Sequence, residues 1–345
     1  MALVLRLLVN AGLLAIPIGA TVGALVGIDA HRAATGQSPL FSGESDSSGS
    51  GSGSGSNGGS GSDSTGGGSG GGTPTISDGG KVTTKPYCDL SYGITPPTHG
   101  DSFTFNPNQW GVTSTSVGEL CLNVTTFSNE TYATDSTVPA WSVTWQYDQG
   151  LSTAPVHAFP NVMVDDIFPI SLDSMQEINF DVEWTYGAGN DAADTIDETS
   201  LTAVNLNANV AIDMFFDSDK TTSQNSTSAK FEVMVWFATF GTSTDVIGHD
   251  DGIKKTMKLN NTTFNLYGGQ NTATNQWVYT WKTAETTGTF SDDIYPLIEY
   301  LYTETGDDYP TKSDYMGVFQ FGTEAFYSAS NVTFNVPSMS IDIKS

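Results

Sequence analysis

The stretch that decides the fold is FEVMVWF, Phe231 to Phe237. Read as a β-strand, it sends Phe231, Val233, Val235 and Phe237 to one face, and Glu232, Met234, Trp236 and the following Ala238 to the other. Neither face suits open water, yet one carries a carboxylate. An unpaired buried charge costs several kcal/mol, on the order of the whole margin by which a domain is stable, so Glu232 requires a chemical reason.

Working outward, the same two-residue alternation recurs from Lys81 to Ser345. WSVTWQY puts Trp141, Val143, Trp145 and Tyr147 on one face, and INFDVEWTY does so with Ile178, Phe180, Val182, Trp184 and Tyr186. NANVAIDMFF (Asn207 to Phe216), WVYTWKT (from Trp277), MGVFQFGTEAF (from Met316) and NVTFNVPSMSIDI (from Asn331) continue it. Short alternating runs separated by Gly, Asn, Asp and Ser predict an all-β domain of two curved antiparallel sheets packed as a sandwich. One short helix is predicted in SDDIYPLIEYL, with Ser291 as N-cap, Ile294, Leu297, Ile298 and Leu301 at helical spacing, and Pro296 in the first turn.

Two further regions precede the domain. Residues 1–30 are an apolar N-terminal segment with Arg6 ahead of an uncharged run from Leu7 to Ile28, which suits a cleaved signal peptide or a signal anchor that tethers the chain to a membrane. Residues 31–80 are rich in Gly and Ser and too poor in apolar side chains to make a core, so a disordered linker is expected there. Residues 81–345 are expected to hold the folded domain.

Twelve Lys and Arg stand against 38 Asp and Glu, a formal net charge of -26. A surface of that sign repels nucleic acid and anionic lipid, and accepts an uncharged ligand. Cys88 and Cys121 lie 33 residues apart, too far for a CxxC redox site and too few for a thiolate metal site, so one disulfide is expected. It would stabilise the domain by about 3 to 4 kcal/mol in the chain-entropy model. Sequons at Asn123, Asn129, Asn225, Asn260, Asn261 and Asn331 point to the same extracellular, secreted location. The histidines, His31, His99, His157 and His249, are scattered without metal-ligand spacing, and no strand and helix frame the glycine-rich run as a nucleotide loop. No metal, no cofactor and a monomer are expected.

Two more carboxylates share the anomaly of Glu232. In NVAIDMFF, Asp213 falls on the face of Asn209, Ala211 and Phe215, and in VFQFGTEAF, Glu324 falls on the face of Val318, Gln320 and Gly322. Three strands each offering one acid to an apolar surface suit glycosidic bond cleavage, in which one carboxylic acid protonates the leaving oxygen and another carboxylate attacks the sugar carbon. The two roles need different pKa values, and burial and mutual repulsion supply the difference. Trp and Tyr rings along a cleft pack against apolar sugar faces.

The motifs carry a resemblance. FEVMVWF resembles the nucleophile motif of glycoside hydrolase family 12, Glu-aliphatic-Met-aliphatic-Trp, and QFGTEAF resembles its acid/base motif, Q-F-G-T-E-P-F. NQWG at Asn108 to Gly111 is similar to the N-L-W-G segment lining the family's cleft, ANVAIDMF to A-N-V-A-Y-D-L-F, and HAFPN at His157 to K-S-Y-x-N. Cys88 and Cys121 fall where fungal members carry an N-terminal disulfide. The resemblance implies a β-jelly-roll, retaining endo-β-1,4-glucanase of cellulase type acting on β-glucan. It makes Glu232 the nucleophile, Glu324 the general acid/base and Asp213 the support of Glu232, with Asn108, Trp110, Met234 and Trp236 against substrate.

Ala325 replaces the Pro that usually follows the acid/base, and FGTSTDVIGHDDG replaces the Gly-rich loop after the nucleophile strand. Both changes bear on subsite shape, so a xyloglucan-specific enzyme stands beside the unbranched-glucan one. A non-catalytic glycan-binding or host-recognition protein on the same scaffold is the alternative of another class, opposed by the retention of all three acids. The E-x-M-x-W and F-G-T-E motifs oppose a xylanase of the related jelly-roll clan.

Overall fold

Alternation of large apolar and small or polar residues builds strands whose inner faces meet in one core. The computed structural model describes residues 82–88, 93–98, 100–127, 133–150, 155–242, 245–272 and 274–345. The expected leader or anchor (1–30), its tether at residues 7–28, the linker (31–80), His31, His99 and the sequon at Asn129 lie outside the described residues.

In chain order the strands are β1 (Val82–Tyr87), β2 (Phe103–Asn106), β3 (Gly118–Phe127), β4 (Trp141–Tyr147), β5 (Asn161–Val164), β6 (Ile170–Ser171), β7 (Glu177–Ala188) and β8 (Asn207–Asp217). They continue as β9 (Phe231–Phe240), β10 (Lys255–Leu259), β11 (Thr262–Gln270), β12 (Trp277–Thr283), β13 (Thr289–Asp293), β14 (Tyr315–Gly322), β15 (Ala325–Tyr327) and β16 (Val332–Lys344). One sheet has the order β1-β3-β4-β16-β7-β13. The other runs β10-β11-β12-β9-β8-β14-β5-β2, with β15 added to β8 and β6 to β14.

The predicted inner faces are the observed ones. Trp141, Val143, Trp145 and Tyr147 of β4 and Ile178, Phe180, Val182, Trp184 and Tyr186 of β7 enter a single core with Val210, Ile212, Met214 and Phe216 of β8. Phe180 sits at its centre, its ring 5.3 Å from Phe321, 5.6 Å from Phe237 and 6.3 Å from Phe319. Such ring pairs add about 0.5–1.5 kcal/mol each beyond the area they bury. Two buried indoles also find acceptors: Trp145 Nε1 donates to Tyr186 Oη at 2.7 Å and Trp281 Nε1 to the Leu297 carbonyl at 2.9 Å.

Four details differ from the expectation. The pairing is antiparallel except between β9 and β12, which run parallel; the long connection between them, carrying the β10–β11 hairpin, gives the chain room to cross over. Ala238 faces the core, because Val210 opposes Ala238 while Ala211 opposes Trp236, leaving Phe237 as an extra residue on β9. Such a bulge breaks the two-residue alternation at that point. Ser291 lies in β13 and does not cap the helix, which spans Tyr295–Leu301 with Pro296 in its first turn. The N-cap is Ile294, which has no capping side chain; the Asp293 carboxylate just before it accepts from the first helical amide, Tyr295 N, and from Ile178 N at 2.9 Å each. That helix, α3, is preceded by two short ones, α1 (Glu198–Ala203) and α2 (Lys220–Ser223), begun by Asp197 and Asp219 as side-chain caps. The expected Cys88–Cys121 disulfide is formed.

Candidate active site

The outer face of the larger sheet carries the acids. At its centre β8 is flanked by β9 and β14, so Asp213 stands opposite Met234 on one side and Gln320 on the other. Glu232 rises from β9 opposite Phe215, and Glu324 follows the end of β14. Asn209, Asp213, Glu232, Met234, Gln320 and Glu324 line one cavity, closed on the β2 side by Asn108, Trp110 and Phe159.

The loop after β2 supplies that wall. Asn108 adopts a left-handed backbone with φ 41°, its N–H donating to Asn106 Oδ1 at 2.9 Å and its carbonyl accepting from Phe159 N at 3.0 Å. Gly111 lets the loop press onto the neighbouring segment, since a Cβ there would sit 2.1 Å from the Val156 carbonyl oxygen. Trp110 packs on Val156 and Phe326 while keeping one side in the cavity. Asn108 Oδ1 is buried without a protein partner among the described residues.

Glu324 is held by Asn209. The Asn209 amide nitrogen donates to Glu324 Oε2, and its amide oxygen accepts from Glu324 N at 2.9 Å. Thr323, the residue before, ties the same strands through Oγ1 to the Asn209 carbonyl.

Burial dominates the electrostatics. It pushes Glu232 up to about 8, with the Glu324 charge adding to the shift, and pushes Glu324 up to about 7 against the opposing donation from Asn209. Asp213 rises well above the carboxylate range, first by burial and then by the charges of Glu232 and Glu324, against a backbone hydrogen bond from Met214. Three acids so close cannot all ionise at neutral pH, and the protons they keep belong to the cluster. Such a cluster can both give a proton and present a carboxylate.

Of the sequence-predicted residues, Glu232, Glu324, Asp213, Asn108, Trp110 and Met234 come together on this cavity. Trp236 does not line it. The residue is 4 % exposed, packed with Ala211 and Val246, and its Nε1 donates to Met234 Sδ at 3.3 Å, so it lies beside Met234 and holds its sulfur. Asn209, Gln320 and Phe159 were not singled out from sequence. Asn209 precedes Asp213 by four residues, and Gln320 precedes Glu324 by four, on the same strand faces. The alternation that found the acids already sets both on those faces, but nothing in it marks a neutral amide as a site residue.

The family model described as Glycosyl hydrolase family 12 matches residues 101–344. A xyloglucan-specific endo-beta-1,4-glucanase A from Emericella nidulans is 27% identical over 246 residues, covering 71% of this chain and 87% of that relative. Its counterpart from Aspergillus niger is 28% identical over 247 residues, covering 72% and 87%. In fold the chain is similar to the crystal structure of Trichoderma harzianum endoglucanase 3, with a TM-score of 0.57 and 24% identity over 76% of this chain and 98% of that one.

Proposed function

The chain belongs to glycosyl hydrolase family 12 and is an enzyme of the endo-β-1,4-glucanase type, and we propose that it cleaves β-1,4-glucan chains with retention, using Glu232 and Glu324. The observation that carries the assignment of residues is the shared cavity in which the buried Glu232 and the half-buried Glu324 stand on either side of Asp213.

In the proposed reaction a glucan lies across the strands with its scissile bond over β8. The reactive form of the cluster holds its charge on Glu232 and its proton on Glu324, the reverse of the order that burial alone sets, and the two forms differ only in where a proton shared by the cluster rests. In that form Glu232, as carboxylate, attacks the anomeric carbon, the bond from carbon to the leaving oxygen breaks, and Glu324 gives the oxygen its proton. Water then attacks the glycosyl–Glu232 ester while Glu324 takes back a proton, which frees Glu232 and restores the starting charge. Asp213 in its protonated form turns from a like charge into a donor beside Glu232 and steadies its carboxylate. Asn108, Trp110 and Met234 contact the sugar units, with Trp236 supporting Met234.

The preferred backbone in this proposal is unbranched or mixed-linkage glucan. Xyloglucan is the second candidate, favoured by the names of the fungal relatives. The Cys88–Cys121 bond and the sequons support secretion, with residues 1–30 as leader or membrane anchor, 31–80 as linker, 81–345 as catalytic domain, and the enzyme acting as a monomer.

The test is reducing-sugar release by the purified protein on barley β-glucan, carboxymethylcellulose and xyloglucan, with Glu232→Gln and Glu324→Gln as controls. Release on the first two that vanishes in both variants is the expected result, and release on xyloglucan alone moves the enzyme to that substrate. A variant retaining the full rate would overturn the assignment of its residue. Glycan binding without release from any of the three would overturn the proposed reaction.

A further inference from the structure

His157 is a buried titratable side chain that takes no part in the reaction above; it is 5 % exposed and lies between β4 and β5, just before the cavity residue Phe159. Its backbone joins two sides of the site. The His157 carbonyl accepts from Gly111 N at 2.9 Å, next to Trp110, and the His157 N–H donates to the Ala325 carbonyl at 2.9 Å, next to Glu324. Ala158 repeats the second tie, its carbonyl accepting from Ala325 N at 2.9 Å.

The side chain extends the same bridge. Its Nδ1 lies 2.9 Å from the Phe326 carbonyl oxygen, and because a carbonyl only accepts, Nδ1 carries the proton and donates it. Phe326 follows Glu324 by two residues, and Trp110 packs on it and on Val156. One hydrogen bond therefore holds the residue that supports the aromatic wall and also belongs to the strand leaving Glu324.

The imidazole is itself fixed from behind. It stacks on Tyr147 with ring centroids 4.7 Å apart and planes 6° from parallel. Tyr147 Oη donates to Gln109 Oε1 at 2.6 Å, in the loop of Asn108 and Trp110, and the Tyr147 carbonyl accepts from Ser328 N at 3.1 Å, just past Phe326. Burial lowers the pKa of His157, against the Phe326 hydrogen bond and the charge of Asp148, so the ring is held toward its neutral form and adds no charge beside the acids. Packing on Tyr147 needs only a flat ring, whereas the bond to Phe326 needs a donor at Nδ1.

We propose that His157 is a positioning residue: through its Nδ1–H bond to the Phe326 carbonyl it sets Glu324 at the distance from the Trp110 wall that protonation of the leaving oxygen requires. This rests on the glucanase reading of Glu232 and Glu324. A proton donor displaced by a fraction of a bond length loses transition-state stabilisation while the substrate still binds.

The test compares kcat/KM of the full-length protein on two substrates. One is whichever of barley β-glucan, carboxymethylcellulose and xyloglucan it cuts fastest, where the leaving sugar hydroxyl needs a proton from Glu324; the other is dinitrophenyl cellobioside, whose phenolate leaves without one. His157→Phe keeps a ring against Tyr147 and removes the donor. It is expected to lower the glucan-to-dinitrophenyl ratio about tenfold, with the loss in kcat on glucan. His157→Asn, whose amide N–H stands near the Nδ1 position, should recover most of the ratio. A purely structural role would lower both substrates together, so an unchanged ratio in folded His157→Phe overturns the proposal. Should that variant not fold, His157→Gln, whose amide reaches past the Nδ1 position, is read the same way. If the wild type cuts none of the three glucans, the glucanase reading fails and the role of His157 falls with it.

Discussion

Asn209 grips Glu324 at both ends, its amide nitrogen on the carboxylate and its amide oxygen on the backbone N–H at 2.9 Å. The first contact favours the charged carboxylate and lowers the Glu324 pKa against burial, while the second fixes where the side chain leaves the strand. Asn209→Ala removes both. The expected result is a lower kcat, with the alkaline limb of the kcat/KM profile moved to higher pH, because Glu324 then holds its proton longer. A pH–rate profile with the limb unmoved would separate Asn209 from the titration of Glu324.

The acids should cost stability as pH rises. Burial pushes Glu232 up to about 8 and Glu324 up to about 7 in the folded state, above the unfolded carboxylate value of about 4.3, so the folded protein binds more protons through that window. Stability contributed by the neutral forms is complete below about pH 4 and is lost as pH rises toward 8. Glu232→Gln, neutral at every pH, should therefore gain on the order of 4 kcal/mol at pH 8 and almost nothing at pH 4. Thermal unfolding of both proteins at the two pH values checks it; an equal gain at both would show a packing effect.

Trp110 is the half-exposed ring of the cavity wall, seated on Val156 and Phe326. Stacking on a sugar is worth on the order of 1 kcal/mol, so Trp110→Ala should raise KM about five- to tenfold on β-glucan with a smaller change in kcat. A fall in kcat with KM unchanged would place the ring in transition-state binding instead.

In the core, Phe180→Ala should destabilise the domain by about 3–5 kcal/mol, since the cavity left among Phe237, Phe319 and Phe321 is walled by both sheets and cannot collapse. Denaturant unfolding measures it. A loss under about 1 kcal/mol would mean that the rings repack.

Much of the molecule is legible in the chain itself. A period of two assigns each strand residue to a face without knowledge of the partner strands, so the inner aromatics of β4, β7 and β8 and the misplaced acids Asp213, Glu232 and Glu324 stand out from the order of residues alone. Local spacing also places Pro296 in a first helical turn and suggests a bond between Cys88 and Cys121. Tertiary structure decides whatever depends on a neighbour distant in sequence. The bulge at Phe237 turns Ala238 inward because the register with β8 slips there, and the Asp293 carboxylate, not Ser291, meets the first helical N–H, where it also holds Ile178 N of β7. Val246 covers Trp236, which alternation alone puts against substrate. The grip of Asn209 on Glu324 arises where separate strands meet, and no periodicity within one strand encodes the identity of the next.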